Sequence, residues 1–203
     1  MKNNTDSELK ILEAAEKVFY RKGKHGTSMQ DIADEAGITR TSLNYYYRTK
    51  DKLFEAVFRN AMTQFVPKLA ELINSGVNFT EYLSKMVEVV IDIMLDKPQI
   101  PVFVLQELTS NPDRVPQLIT ELGLNSVVVS GIIKKDSTFR DLQVNPVHLI
   151  INVLSLCIFP FAAKPMLVTV MFNGNEEEYI HAMKERKALI PEMIENMIKT
   201  LKP

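Results

Sequence analysis

Apolar positions recur every three or four residues along nearly the whole of this 203-residue sequence, so it reads as a succession of helices. Residues 7–23 carry Ile11, Ala14, Ala15, Val18 and Phe19 on one face, and the stretch Lys22-Gly23-Lys24-His25-Gly26 should end that helix. Thr27 or Ser28 can cap a second helix, with Gln30 or Asp31 three residues on as the returning partner. Met29, Ile32, Ala33 and Ala36 form its buried side, and Gly37 ends it. A short helix follows over 39–46. Another, capped by Thr49, runs from Lys50 to about Ile73 with a kink or an end at Pro67.

The remainder continues in the same manner. Residues 74–78 form a loop, and Asn78 with Glu81 makes a capping box for a helix to about Leu95. Further helices are expected over 98–109, over 115–135 (weakened by Gly123, the run 127–129 and Gly131), and from Asn145-Pro146 to about Phe161. Residues 111–113 read as a turn and 136–144 as a loop. Residues 164–175 look irregular, with a short strand or helix possible at 166–172, and 176–201 form a last helix bent at Pro191.

Composition narrows the class. Seven Gly, ten Pro and no Trp leave too few turn glycines for an all-β fold, so the fold class is all-α. Cys157 stands alone, which excludes an internal disulfide framework and a cysteine-rich zinc site. The start MKNNTDSELK has no apolar core of a secretory signal, and the apolar stretches 147–163 and 166–172 are unconvincing membrane spans. A cytoplasmic protein without a membrane partner is expected. No P-loop, dinucleotide-binding glycine turn, H-E-x-x-H or G-x-S-x-G occurs, so no enzyme, cofactor or metal is expected. Glu88 and Asp92, one helical turn apart, read as a solvated face rather than a metal site.

Net charge is −1, but residues 1–53 carry +2 and residues 54–203 carry −3. The positive excess coincides with Ala33, Gly37 and Leu43, whose spacings of four and six suit a helix-turn-helix. A small residue lets the second helix pack close, a glycine makes the turn, and an apolar residue anchors the second helix. That second helix presents Arg40, Thr41, Ser42, Asn44 and Tyr45, groups that suit the major groove.

The ordered set Ile11-Leu12-x-Ala14-Ala15, Phe19-x-x-x-Gly23, Thr27-Ser28, Asp31-Ile32-Ala33, Ala36-Gly37-Ile38 and Leu43-x-Tyr45-x-Tyr47-x-x-Lys50-x-x-Leu53 resembles the DNA-binding domain of the tetracycline-repressor (TetR) family of bacterial transcription regulators. The resemblance covers about 45 residues. It implies a helix-turn-helix domain over 1–53, with a linking helix from about 50, and a helical ligand-binding and dimerisation domain over 54–203. It also implies that double-stranded DNA meets Thr27, Ser28, Arg40, Thr41, Ser42, Asn44, Tyr45, Tyr46 and Lys50, with Tyr47 in the core. Asn44 departs from the family, which usually has Tyr there. Lys50 opposes the positive helix N-terminus, a local conflict that favours a functional role.

For the C-terminal region the resemblance implies a homodimer through roughly 146–161 and 176–201. The first of these segments is apolar nearly all round and needs cover on two sides. A small-molecule effector, mostly apolar, would meet Met86, Val90, Met94, Phe103, Gln106 and Phe159. Glu107 and His148 are further polar candidates within apolar runs, and Cys157 reads as an inert buried thiol. The competing expectation is a helical adaptor with a degenerate helix-turn-helix.

Overall fold

Ile11, Ala14, Ala15, Val18 and Phe19 are all buried, so one face of α1 (Lys2–Gly26) forms the floor of a small helical core. The computed structural model describes residues 2–64, 66–74, 78–126, 130, 139, 142, 145 and 147–202. Within them the chain divides into two compact units, Met1–Thr63 and Gln64–Pro203.

In the first unit α2 (Met29–Ala36) and α4 (Lys50–Thr63) pack against α1, and α3 (Arg40–Tyr46) packs on α2. Ile32 and Ala33 from α2, Leu43 from α3, and Leu53, Phe54, Val57 and Phe58 from α4 complete the core. Met29 and Ala36 are only half-buried, so the inward face of α2 is narrower than the sequence suggested. Phe19 meets Phe54 edge to face at 5.0 Å, and the Lys24 ammonium lies 5.0 Å from the Phe54 ring centre. These contacts bind α4 to α1, which is why the first unit extends to Thr63 rather than stopping near residue 53. Gly23 interrupts α1 as the sequence suggested: its backbone is non-helical (φ 67°), and a last short stretch of helix runs from this kink to Gly26.

Both chain reversals of the helix-turn-helix are made by local chemistry. At the end of α2, Gly37 (φ 65°) donates to the Asp34 carbonyl and Ile38 to that of Ala33, the paired bonds of a left-handed C-cap that other residues adopt with strain. Thr39 then caps α3, its hydroxyl oxygen accepting from the Ser42 N–H at 3.1 Å.

The second unit contains α5 (Val66–Asn74), α6 (Phe79–Asp96), α7 (Ile100–Ser110), α8 (Arg114–Glu121), α9 (Val147–Ala162), α10 (Lys164–Met171) and α11 (Glu176–Thr200). α6 lies against α11 and α9, burying Leu83, Met86, Val87, Val90, Ile91 and Met94. Leu149, Val153, Cys157 and Phe161 face them from α9; Tyr179, Met183, Ile190, Ile194 and Ile198 do so from α11. Asn78 caps α6, accepting from Glu81 N–H at 3.0 Å.

Of three further expectations, one is overturned and two that were left open are decided. The helix expected over 115–135 breaks after Glu121, because Gly123 (φ 99°) and Leu124 donate to the carbonyls of Thr120 and Ile119 and close a C-cap of the same kind as at Gly37; residues 126 and 130 are helical again. The segment from Lys50 to Ile73 is two helices, α4 ending three residues before Val66-Pro67 opens α5. Residues 166–172 are mostly helical, as α10. Residues 75–77 of the expected loop 74–78, residues 127–129 and 131–135 of the expected helix, residues 136–138, 140–141 and 143–144 of the expected loop 136–144, and residue 146 lie outside the described residues.

Pro160 inside α9 has no N–H to give the Leu156 carbonyl. Arg186 of α11 supplies the missing donor, its guanidinium bonding that carbonyl at 2.9 Å. The Tyr179 hydroxyl donates to the Pro160 carbonyl at 3.2 Å. Just beyond, α9 and α10 meet at a bend of 74°. Burial pushes the neighbouring Cys157 thiol up to about 12, with Arg186 pulling the other way, so the group is an inert thiol at neutral pH. No single helix among the described residues is long and apolar enough to cross a membrane.

Candidate nucleic-acid interface

The site is built from the start of α2 outward. Thr27 is 3% exposed and its hydroxyl donates to the Gly23 carbonyl at 2.7 Å. It is therefore turned into the protein, and Ser28 is the cap. The Ser28 hydroxyl oxygen accepts from Asp31 N–H at 3.1 Å, and the Asp31 carboxylate accepts from Ser28 N–H at 2.8 Å. Lys22 pairs with the same carboxylate at 2.6 Å. The Lys22 ammonium, then the Ser28 donors, hold the Asp31 carboxyl well below the usual range.

α3 turns Leu43 into the core and leaves Arg40, Thr41, Ser42, Asn44 and Tyr45 exposed. Tyr45 is 80% exposed. Arg40 has no ion-pair partner among the described residues. Tyr46 is half-buried, its ring edge-on to that of Tyr45 at 5.4 Å. Tyr47 is likewise half-buried instead of fully in the core, because its hydroxyl reaches Glu8 and donates at 3.1 Å. Burial, then the Glu8 carboxylate, pushes that phenol upward.

Lys50 does not project freely into solvent. Its ammonium donates to the Thr27 carbonyl at 2.8 Å, tying the first turn of α4 to the α1–α2 corner. Of the nine sequence-selected positions, Ser28, Arg40, Thr41, Ser42, Asn44 and Tyr45 are thus exposed, Tyr46 and Lys50 half-buried, and Thr27 withdrawn. Beside α3 opens a cleft of about 670 Å³, lined by Ser7, Lys10 and Ile11 of α1, the turn Ala36-Gly37-Ile38, and Thr41, Ser42, Tyr45 and Tyr46. Sequence reading missed Lys10. The available signal was its exposed place one turn beyond Ser7 on a helix whose opposite face is core.

The effector candidates divide differently. Met86, Val90 and Met94 succeed one another on the buried face of α6, and Phe103 is buried on α7. Gln106 is exposed and Phe159 is 58% exposed, so the structure does not bring these two into the core with the others. The buried polar residue of α7 is Glu107, one position on and one turn from Phe103. Its Oε1 lies 3.0 Å from Asn111 Nδ2 and 3.0 Å from an Arg114 guanidinium nitrogen. His148 is exposed. Glu88 and Asp92 are exposed as well, and Asp92 bonds Lys187. Among the described residues no three potential metal ligands converge.

A short capped helix, a glycine turn and an exposed polar second helix anchored by one buried Leu define a helix-turn-helix DNA-binding protein. Residues 11–57 match the family described as bacterial regulatory proteins, tetR family. Over this segment, which holds the helix-turn-helix, the chain is similar to this family of DNA-binding transcriptional regulators. It is similar to the protein named Probable HTH-type transcriptional regulator YttP of Bacillus subtilis (strain 168), at 25% identity over 86% of each chain. It is also similar to the HTH-type transcriptional regulator RutR of Escherichia coli (strain K12), at 26% identity over 69% of this chain and 66% of that one. The fold matches the crystal structure of the transcriptional regulator FadR from Bacillus subtilis in complex with stearoyl-CoA, with a TM-score of 0.62 at 17% identity, over 90% of this chain and 96% of that one.

Proposed function

We propose that the chain is a ligand-responsive repressor that binds a pseudo-palindromic operator as a homodimer and is released by a mostly apolar small molecule. The observation that carries the DNA-reading role is the solvent face of α3. Around the buried Leu43 it offers guanidinium, hydroxyl, amide and phenol groups and no carboxylate. Arg40 has the geometry for guanine and Asn44 for adenine, while Thr41 and Ser42 suit either base edges or backbone. Ser28, Tyr45 and Tyr46 flank this face as backbone contacts. Thr27 and Lys50 act one step removed, by holding the corner on which Ser28 sits.

Dimerisation through residues 146–161 and 176–201 is supported by exposed apolar side chains at helical spacing: Val147, Ile151 and Leu154 on α9, and Leu189 and Met193 on α11. Patches of this kind mark association surfaces. Two reading heads then match half-sites about one helical turn apart.

The effector reading assigns residues 54–203 the ligand role, with Met86, Val90, Met94 and Phe103 as the lining. Methionine adapts its shape to an apolar guest. The stearoyl-CoA held by the FadR structure favours an acyl-chain effector here. Regulation follows only if that ligand prefers one spacing of the reading heads over the other. In this reading the chain catalyses nothing and works in the cytoplasm.

The test is fluorescence-anisotropy binding to a duplex from immediately upstream of this protein's own gene, with a scrambled duplex as control, at two salt concentrations. Specific, salt-sensitive binding that a long-chain acyl-CoA relieves supports the reading. Binding no tighter than to the control contradicts it.

A further inference from the structure

We propose that the cleft between α1 and α3 is a second DNA-backbone site, in which Lys10 holds a phosphate of the strand flanking the groove read by α3. The inference rests on the DNA-reading role proposed for α3. It begins with the chemistry of the lining. The polar side chains there are Ser7, Lys10, Thr41, Ser42, Tyr45 and Tyr46, each able to donate a hydrogen bond, and no carboxylate is among them. A phosphodiester is the complement: its oxygens only accept, and it carries one negative charge. The volume of about 670 Å³ lies within the range of ordinary ligand sites.

Ion pairing along α1, taken with the cleft lining, points to the same residue. Arg21 pairs with Glu35, Lys22 with Asp31 and Lys24 with Asp51. Lys10 and Lys17 have no such partner among the described residues, and of the charged side chains Lys10 alone lines the cleft. Thr41, Ser42 and Tyr45 belong both to the outward face of α3 and to the cleft wall. A nucleic-acid strand lying along α3 therefore passes the mouth of the cleft, with Lys10 on its far side. α1 thereby becomes part of the reading head instead of only its scaffold.

The experiment compares the full-length protein with Lys10→Gln, Lys10→Arg and the charge-matched control Lys184→Gln, using the upstream duplex and its scrambled version between 50 and 200 mM salt. Lys10 and Lys184 are exposed, and thermal unfolding checks that each variant folds. One lost phosphate contact lowers the slope of log affinity against log salt by about 0.9, so the affinity lost over this salt range shrinks by about threefold. That change is expected for Lys10→Gln on both duplexes, with Lys10→Arg and Lys184→Gln close to wild type. Wild-type binding with an unchanged Lys10→Gln slope overturns this site and leaves the role of α3 standing. A wild-type protein that binds neither duplex at 50 mM salt overturns both.

Discussion

The Lys50 ammonium donates to the Thr27 carbonyl at 2.8 Å, across 23 residues of sequence, and Thr27 in turn donates its hydroxyl to Gly23 at 2.7 Å. The two bonds fasten α4, the α1–α2 corner and the Ser28 cap into one unit. A lysine at the positive end of a helix is unfavourable for that helix alone. Here it is turned across to a carbonyl of another element, which removes the conflict noted in the sequence.

Replacing Lys50 by Ala should therefore act on two observables. Losing a charge-assisted, partly buried bond should lower the local stability of the first unit by about 1.5 kcal/mol, visible as faster amide hydrogen exchange in α2 and the first turn of α4. Affinity should fall on every duplex alike, because base discrimination lies on α3. Unchanged exchange would show that the bond contributes little in solution.

Asp31 gives a pH prediction. Its carboxyl is depressed in the folded chain by Lys22 and Ser28. A group with a lowered folded pKa contributes stability above its unfolded value of about 3.9, and that stability is lost as pH falls toward the folded value. The α2 cap should thus hold from neutrality to about pH 5 and weaken in more acidic solution. Asp31→Asn should be less stable at pH 7 and nearly flat over the acid limb, as read from helix content against pH.

Arg186 and Pro160 provide a double-mutant cycle. Arg186→Met alone leaves the Leu156 carbonyl without its donor and should cost about 1–3 kcal/mol. With Pro160→Ala the residue-160 N–H regains that carbonyl, so Arg186→Met should cost markedly less in that background. Equal costs in both backgrounds would assign Arg186 to some other task.

The exposed apolar stripe on α9 and α11 predicts the assembly state. Ile151→Glu or Met193→Glu should convert a dimer into a folded monomer by sedimentation, and weaken operator binding at least tenfold through lost bivalency. Both positions face solvent in the single chain, so the fold itself should survive.

The first unit was legible because its rules are short-range. Caps at Ser28 and Thr39, the glycine turn at Gly37 and the apolar spacing of α1 each involve residues within five positions. Tertiary partners were not legible. Nothing near Lys50 in sequence points to Thr27, and nothing near Tyr47 points to Glu8. Thr27 and Ser28 are interchangeable as caps on paper; the bond from the Thr27 hydroxyl to the carbonyl of the kinked Gly23 turns one inward and leaves the other to cap. On α7 the error was one residue of helical phase. Gln106 and Glu107 both interrupt an apolar run, and the more expensive one to bury is inside because Asn111 and Arg114 meet it there. Gly123 was read as a weak point of a long helix when its positive φ makes it the end of one.

The most direct test of the central claim, that the exposed face of α3 reads DNA, is the ratio of affinities for the upstream and scrambled duplexes, measured for wild type and for Arg40→Ala at one salt concentration. Arg40 is exposed and forms no ion pair among the described residues, so its loss should leave folding within about 0.5 kcal/mol of wild type. The account predicts that Arg40→Ala lowers the ratio by about 1–3 kcal/mol of discrimination, while affinity for the scrambled duplex changes much less. An unchanged ratio in a folded Arg40→Ala protein would contradict it.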